Sequence, residues 1–483
     1  MKTITNFNPN WKINQPKLFN MYQFEISENE DVYELSKIME GLNYDKLMQV
    51  FKHKTKVHPI RLLAIVVFAY SRKVKSTREI EQLCRENIKF RYLLGDDPIP
   101  DHSTIARFLQ KAEPEINDLF IQFTNKLLEL NNIDTSIIYI DGTKIEADAN
   151  KYTFVWKKAI LKFQDRLLIK IEKLIEDFNT EFNKNIISLK EMIDLINNKN
   201  IIRVYGKGKR KSIEQKYLDL AEQYTNKIIE YSKHLDILGD RNSYSKTDND
   251  ATFMRMKEDY MGNGQLKPGY NLQIGVCSEL IVSSMICSNP TDIKTLIPFL
   301  DKMKNEGINL KDIVADAGYE SLENYVYLKN NNLVSYIKPQ TYEKSKTRKF
   351  QKDLNRPENL IYDEMNNVLK RSDGFELEYV RDRYRKGNMY RIFHNSKTGK
   401  NVWYNYEFRK FSKESKENIT TEKGIRLRMN RSIQVEGAFG VIKEDMKLRK
   451  LKISGLSGVK RELILICMGY NFKIHMYKKK HNK

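Results

Sequence analysis

Hydrophobic and polar positions change period several times along this chain. After a polar start, residues 32–51 carry apolar side chains at intervals of three and four, which predicts a helix. The stretch "HPIRLLAIVVFAYSRKVKSTREIEQLCRENIKFRYLLG" predicts two more, the second opening at "STRE", where Ser76 and Glu79 have capping-box spacing. Prolines in "DDPIPDHS" stop that run, and a further helix starts near Asp101 or Ser103. The expectation is a helical unit over residues 1–131. Its turn-then-helix at "PDHSTIARFLQK" has a helix-turn-helix character, with Arg107 as a candidate DNA contact.

At Ile137, Ile138, Tyr139 and Ile140 the polar positions vanish, which predicts a strand buried on both faces, and the run ends directly in Asp141. From Trp156 onward Ile160, Phe163, Leu167, Ile171, Leu174, Phe178 and Phe182 form one helical stripe. Ile213, Tyr217, Leu220, Tyr224, Ile228, Tyr231 and Leu235 form a second. Two such stripes predict a helical hairpin inserted over residues 155–240, with a shorter helix and the basic loop "GKGKRKS" between them. Residues 269–288 predict two antiparallel strands turning at "SEL". "TDIKTLIPFLDKMKNEG" predicts a helix, "DIVAD" a short strand ending at Asp316, and "VSYIKPQ" another strand. Residues 342–425, including "NVWYNYEFRKF", read as a β-rich insertion. The rest is predicted helical except at "KISGLSG", with "YKKKHNK" as a basic arm. The expected organisation is therefore the helical unit 1–131, a core over 132–341 interrupted at 155–240, the β-rich insertion 342–425, and C-terminal core helices with a basic tail over 426–483.

Charge narrows the choice of partner. The chain has 84 Lys and Arg against 63 Asp and Glu, a formal +21, and an excess of that size calls for a polyanion. The C-terminal stretch from Glu444 adds a local concentration of Lys and Arg that suits a nucleic-acid track. Cys84, Cys277, Cys287 and Cys467 are scattered, which argues against a disulfide framework or a zinc site. No apolar core of signal-peptide length opens the chain, and no stretch approaches about 18 uninterrupted apolar residues. The expectation is a cytoplasmic, nucleoid-associated protein without a membrane role.

Three carboxylates stand out. Asp141 and Asp316 end apolar strands, and Glu436 sits in the predicted helix "SIQVEGAFGVIKEDM". Carboxylates in such places are costly to bury unless a cation compensates them, and hard oxygen donors without a histidine cluster favour Mg²⁺ over zinc. Two ions about 4 Å apart would suit phosphoryl transfer. Each residue also has an ordinary reading as a turn or helix cap. Asp248 and Asp250 form a second acidic cluster, Asp148 and Glu146 read as supporting residues, and Trp403 reads as strand packing or as an aromatic wedge for distorted DNA.

The blocks "YIDGTKIEADANKYTFVWKK", "SKTDNDATFMRMKEDYMGNGQLKPGYNLQIG", "NPTDIKTLIPFL", "VADAGYES" and "NRSIQVEGAFGVIKEDM" together resemble the DDE transposases of bacterial insertion sequences, and within these the group eleven-eighty-two. The N-terminal helical stretch resembles the first domain of the same group. The resemblance implies an α/β fold, an RNase H-like mixed sheet carrying a helical and a β-rich insertion behind an all-α N-terminal domain. It places the first Asp on the first strand, the second after the fourth strand and the Glu on a later helix, hence Asp141, Asp316 and Glu436 as catalytic and metal-binding residues. It also implies Mg²⁺ as a pair of ions, with Mn²⁺ able to substitute. The partners implied are double-stranded DNA, both the inverted repeats of the element and a target, and a homodimer in the synaptic complex. Lys443 matches a family lysine seven positions after the Glu, Arg431 lies one residue from the family arginine position, and Lys144 is a further candidate DNA contact. The rival expectations are a nuclease of the same fold without strand transfer and a DNA-binding protein without catalysis.

Overall fold

A computed structural model describes residues 27–481 apart from 28–29, 53–54, 207–208, 258–261, 263 and 386. Two compact units divide the chain, one of Met1–Asn131 with Leu465–Lys483, the other of Asn132–Ile464.

The first unit is helical. Its predicted helix over 32–51 is two, α1 (Asp31–Glu40) and α2 (Asp45–Val50). Gly41 closes α1 by donating its N–H to Ile38, and the Asn43 side chain opens α2 by accepting from the Asp45 N–H at 2.8 Å. The next stretch makes three helices rather than two: α3 (Pro59–Ser71), almost wholly buried, α4 (Thr77–Glu86) and α5 (Ile88–Leu94). Asn87 leaves the helical region between the last two and caps the second with its side chain. Ser76 stands at the N-cap of α4 without a side-chain cap bond, so the expected capping box is not formed. Asp101 does cap α6 (His102–Leu130), accepting from the Thr104 N–H at 2.8 Å.

The second unit is built on a mixed sheet. Its strands are β1 (Ile137–Glu146), a short pair β2 (Phe154–Trp156) and β3 (Ser243–Ser245) at the foot of the helical insertion, β4 (Thr252–Arg255), β5 (Leu266–Cys277), β6 (Leu280–Cys287), β7 (Asp312–Ala315) and β8 (Val334–Ile337). Central β1 runs antiparallel to β5 and parallel to β7, which in turn pairs parallel with β8, while β4 and β6 share the far edge of β5. With the short edge strand β4 set aside, Asp316 follows the fourth strand of the core sheet, in the order the RNase H-like expectation requires. The insertion between β2 and β3 holds α7 (Lys157–Phe182), α8 (Leu189–Asn197) and α9 (Ile213–Leu238). Its core joins the α7 stripe to Leu218 and Ala221 of α9. Phe163, Ile213 and Leu220, predicted in the packed stripes, are exposed, while α8 adds Leu189, Met192 and Ile196 to this core.

Beyond β6 come α10 (Leu296–Asn305), which starts later than predicted because Asp292–Lys294 forms a 3₁₀ turn, α11 (Leu322–Asn330), and two short helices, α12 (Tyr342–Ser345) and α13 (Arg348–Lys352). A five-stranded sheet follows, β9 (Ile361–Asp363), β10 (Val368–Lys370), β11 (Glu376–Arg385), β12 (Asn388–Asn395) and β13 (Lys400–Tyr404). The region expected to be mostly β through residue 425 turns helical at α14 (Tyr406–Thr420), where Asn405 caps the helix and overrides the strand-like "YEFRKF". Then α15 (Glu422–Arg431) runs through a π-helical turn Ser432–Glu436, α16 (Gly437–Gly440) and a second π-helical turn Val441–Asp445.

The last helix, α17 (Leu456–His481), crosses the division of the chain, and its part from Leu465 onward belongs to the first unit. It approaches α3 so closely that a Cβ at Gly469 would lie 2.7 Å from the Ser71 nitrogen. Buried His475 meets Glu34 at 3.1 Å and Asn131 at 2.9 Å, and Lys479 pairs with Glu34. Tyr477–His481, expected as a free basic arm, is thus helical, with part of its charge neutralised; Asn482 and Lys483 lie outside the described residues. No helix among the described residues is long and apolar enough to cross a membrane.

Candidate active site

The pairing of β1 explains why a buried strand ends in a charge. Both its edges are hydrogen-bonded and Ile138 and Ile140 are fully buried, so the strand is fixed in the middle of the sheet. The parallel register sets Ile140 opposite Ala315, which brings the next residues, Asp141 and Asp316, side by side where β1 leaves the parallel pairing. Burial pushes the Asp141 carboxyl above its usual range. Lys257 opposes this, the neighbouring Asp316 raises it further, and Arg431 again opposes. Asp316 also caps the 3₁₀ turn Ala317–Tyr319, accepting from the Gly318 N–H at 2.7 Å, so its structural and site roles coexist.

The third carboxylate comes from a different direction. The π-helical turn ending at Glu436 packs on β1 and β5, and Gln434 anchors it by accepting from the Glu279 N–H in the β5–β6 turn. Glu436 itself faces solvent, its side chain 66% exposed, 4.0 Å from Arg431 Nη2. Arg431 Nη1 lies 3.5 Å from Asp141 Oδ2 and is buried without a hydrogen-bond partner. The guanidinium, with one nitrogen toward each carboxylate, is a cation standing where carboxylates need one. The donor set is all oxygen and fits a hard divalent ion. As the side chains are placed, no three acidic, His or Cys residues among those described enclose an ion position.

One acidic residue near these carboxylates escaped the sequence reading. Asp292 Oδ1 accepts from buried Asn271 (2.8 Å) and Gln273 (3.0 Å), both on β5, and Gln273 accepts from the hydroxyl of buried Tyr319, just beyond Asp316. This network lies against Gly142, where a Cβ would sit 2.3 Å from Gln273 Nε2 and 2.7 Å from Asp292 Oδ1. Gly142 is therefore required by close approach. The signal was available in the glycine directly after Asp141 and in the block "NPTDIKTL". Lys257, whose Nζ donates to the Gly142 carbonyl at 3.0 Å, was missed as well.

The remaining candidates separate. Lys144 is half-buried, donates to the Arg255 carbonyl at 3.0 Å, and has its ammonium pKa lowered by burial. Lys443, seven residues after Glu436, lies in the second π-helical turn. Arg107 belongs to the first unit and is held by Ser103 of its own helix. Glu146 pairs with Lys267 at 2.8 Å. Asp248 accepts from the buried Tyr270 hydroxyl at 2.8 and 3.0 Å and from the Gly455 N–H, while Asp250 accepts from the Leu456 N–H, so this pair holds the start of α17. Trp403 is half-buried in β13 under two arginines.

Comparison with known families matches residues 241–472 to the Transposase DDE domain and residues 20–111 to the Transposase domain (DUF772). Asp316 and Glu436 fall inside the first match. Asp141 lies before it, and the sheet supplies its place beside Asp316. No curated protein and no solved structure matches the chain.

Proposed function

Because this chain belongs to the DDE transposases, we propose that it binds the terminal inverted repeats of its own element and joins the freed ends to a target through Asp141, Asp316 and Glu436. The observation that supports the residue assignment is the β1–β7 register, which sets Asp141 beside Asp316, together with Arg431 bridging from Asp141 toward Glu436. DDE transposases depend on a divalent metal. Here Asp141, Asp316 and Glu436 would hold a pair of Mg²⁺ ions, which when bound supply the Lewis acidity for the phosphoryl group and the attacking oxygen.

The chain's own residues provide position and charge. In the first step the oxygen of water bonds to the phosphorus at the element's end as the P–O3′ bond breaks, and the departing 3′ oxygen takes a proton. In the second, that 3′-OH bonds to a target phosphorus and displaces the target's own 3′ oxygen. With Asp141 holding an ion, Arg431 would be free to donate to a phosphate oxygen, a role its fork of donors suits. Lys257 and Lys144, on the Gly142 side, extend the positive rim. Lys443, Arg107 and a homodimeric synaptic complex complete the proposed DNA-bound assembly.

The test is Asp141→Ala in the full chain. End cleavage with Mg²⁺ falls by more than the roughly 100-fold that loss of an outer-shell partner alone can cost, while binding to an inverted-repeat duplex is kept and Mn²⁺ binding, read by electron paramagnetic resonance, is lost. Cleavage at the wild-type rate would end the assignment. Strand transfer of a precleaved end into plasmid separates a transposase from a nuclease of the same fold.

A further inference from the structure

Outside the carboxylate site, an ordered concentration of unneutralised charge lies on the five-stranded sheet. Its register puts Arg381 opposite Ile392, Arg383 opposite Tyr390 and Arg385 opposite Asn388, with Ile392 opposite Trp403 in turn. Alternation along the strands then gathers Arg381, Arg383, Arg385, Tyr390 and Trp403 on one face. The opposite face carries Leu377, Phe393 and Tyr404 into the core of this sheet. Glu378 marks the base of the arginine face, and Asp382 points to the other side, across from Arg391.

All three arginines are exposed, and among the described residues none has an acidic partner. Two of them sit over an aromatic ring: the guanidinium carbons of Arg383 and Arg385 lie 5.1 and 5.8 Å from the centre of Trp403, which also has Tyr390 as an edge-on neighbour at 5.9 Å. Trp403 thus serves as a platform under the cations. The edge of β11 is also open. β10 pairs with it only at Glu376 and Leu377, and β13 reaches only to Arg391, so β11 and β12 beyond those points form a two-stranded ribbon.

We propose that this arginine face is a separate DNA-contacting surface that takes the phosphate backbone of duplex DNA. The inference rests on the transposase reading. Alternate residues of a strand repeat at about 6.8 Å, so Arg381, Arg383 and Arg385 present an evenly spaced row of cations to a phosphate backbone. The cation–π contact with Trp403 restrains Arg383 and Arg385 before they meet DNA, which lowers the cost of ordering them. Unpaired arginines bring no desolvated counter-ion to be displaced, so binding releases counter-ions from the DNA alone.

The test measures binding of the full chain to a labelled random-sequence duplex by fluorescence anisotropy over a range of salt, for the wild type and for R381Q/R383Q/R385Q. Each lost phosphate contact lowers the slope of log K against log salt by about 0.9, so the triple variant should lose about 2 to 3 from the slope and bind at least tenfold more weakly. An unchanged slope overturns the proposal and leaves the face to an acidic protein partner. The lysine triple R381K/R383K/R385K keeps the charge and should keep the slope; if it loses as much as the glutamine triple, the effect lies in the fold and the proposal fails. Absence of duplex binding by the wild type would strike at the transposase reading itself, whereas unchanged binding by the glutamine triple strikes only at the ribbon.

Discussion

A single methyl group at position 142 tests how tightly the site is built. It would collide with Gln273 and Asp292, and the side chains that would have to yield are tied to Asn271 and Tyr319 by hydrogen bonds. Gly142→Ala should cost about 1–3 kcal/mol as an overpacking change, seen as a lower melting temperature, and should depress end cleavage well beyond what that loss of stability explains. A variant that melts early yet cleaves normally would show that the network props the sheet without positioning Asp141. Asp141 was legible in the sequence because a carboxylate directly after four apolar residues conflicts with burial. Asp292 was not, since an Asp opening a helix is ordinary capping chemistry. Arg431 was found only approximately, because residue counting back from Glu436 assumes an α-helix and the intervening turn is π-helical.

Elements divide in the same way. The strands of the core were legible from apolar runs and their punctuation, whereas the end of the β-rich insertion was not: one Asn side chain at position 405 converts a strand-like composition into helix. Asp248 shows how two adjacent acidic clusters can take unrelated roles. It meets the hydroxyl of a fully buried tyrosine and an N–H at the entry to α17, a position that also suits the positive end of a helix. Asp248→Ala leaves the Tyr270 hydroxyl without its acceptor and should cost about 1–3 kcal/mol in a denaturation curve. Cleavage, assayed where the variant is still folded, should stay within severalfold of wild type. Its abolition in a folded variant would make Asp248 a candidate for the catalytic set.

For the molecule as a whole, the division between units is the point on which the linear reading went furthest astray. A basic C-terminal stretch looked like a tail on the core because charge dominates its composition. Yet Leu465, Ile466, Cys467 and Met468 are fully buried and Tyr470 and Phe472 nearly so, and this part of α17 groups with residues up to Asn131. At roughly 1.5–3 kcal/mol for each large apolar side chain buried, their sum is comparable with the 5–15 kcal/mol that holds a typical domain together. Ending the chain after Ile464 should therefore leave the N-terminal helices protease-sensitive, while the β1 sheet keeps its resistance in the same digest; equal resistance in both would show that the first unit stands without α17. The crossing of α17 also imposes an order on synthesis. The first helices leave the ribosome early, but the helical segment that completes them is made only after the second unit, and at about 5–20 residues per second translation of that intervening unit takes roughly 20 to 70 seconds. A unit that looks N-terminal on paper therefore becomes whole only after the second unit has been made, and a message cut short before Leu465 yields no finished copy of it.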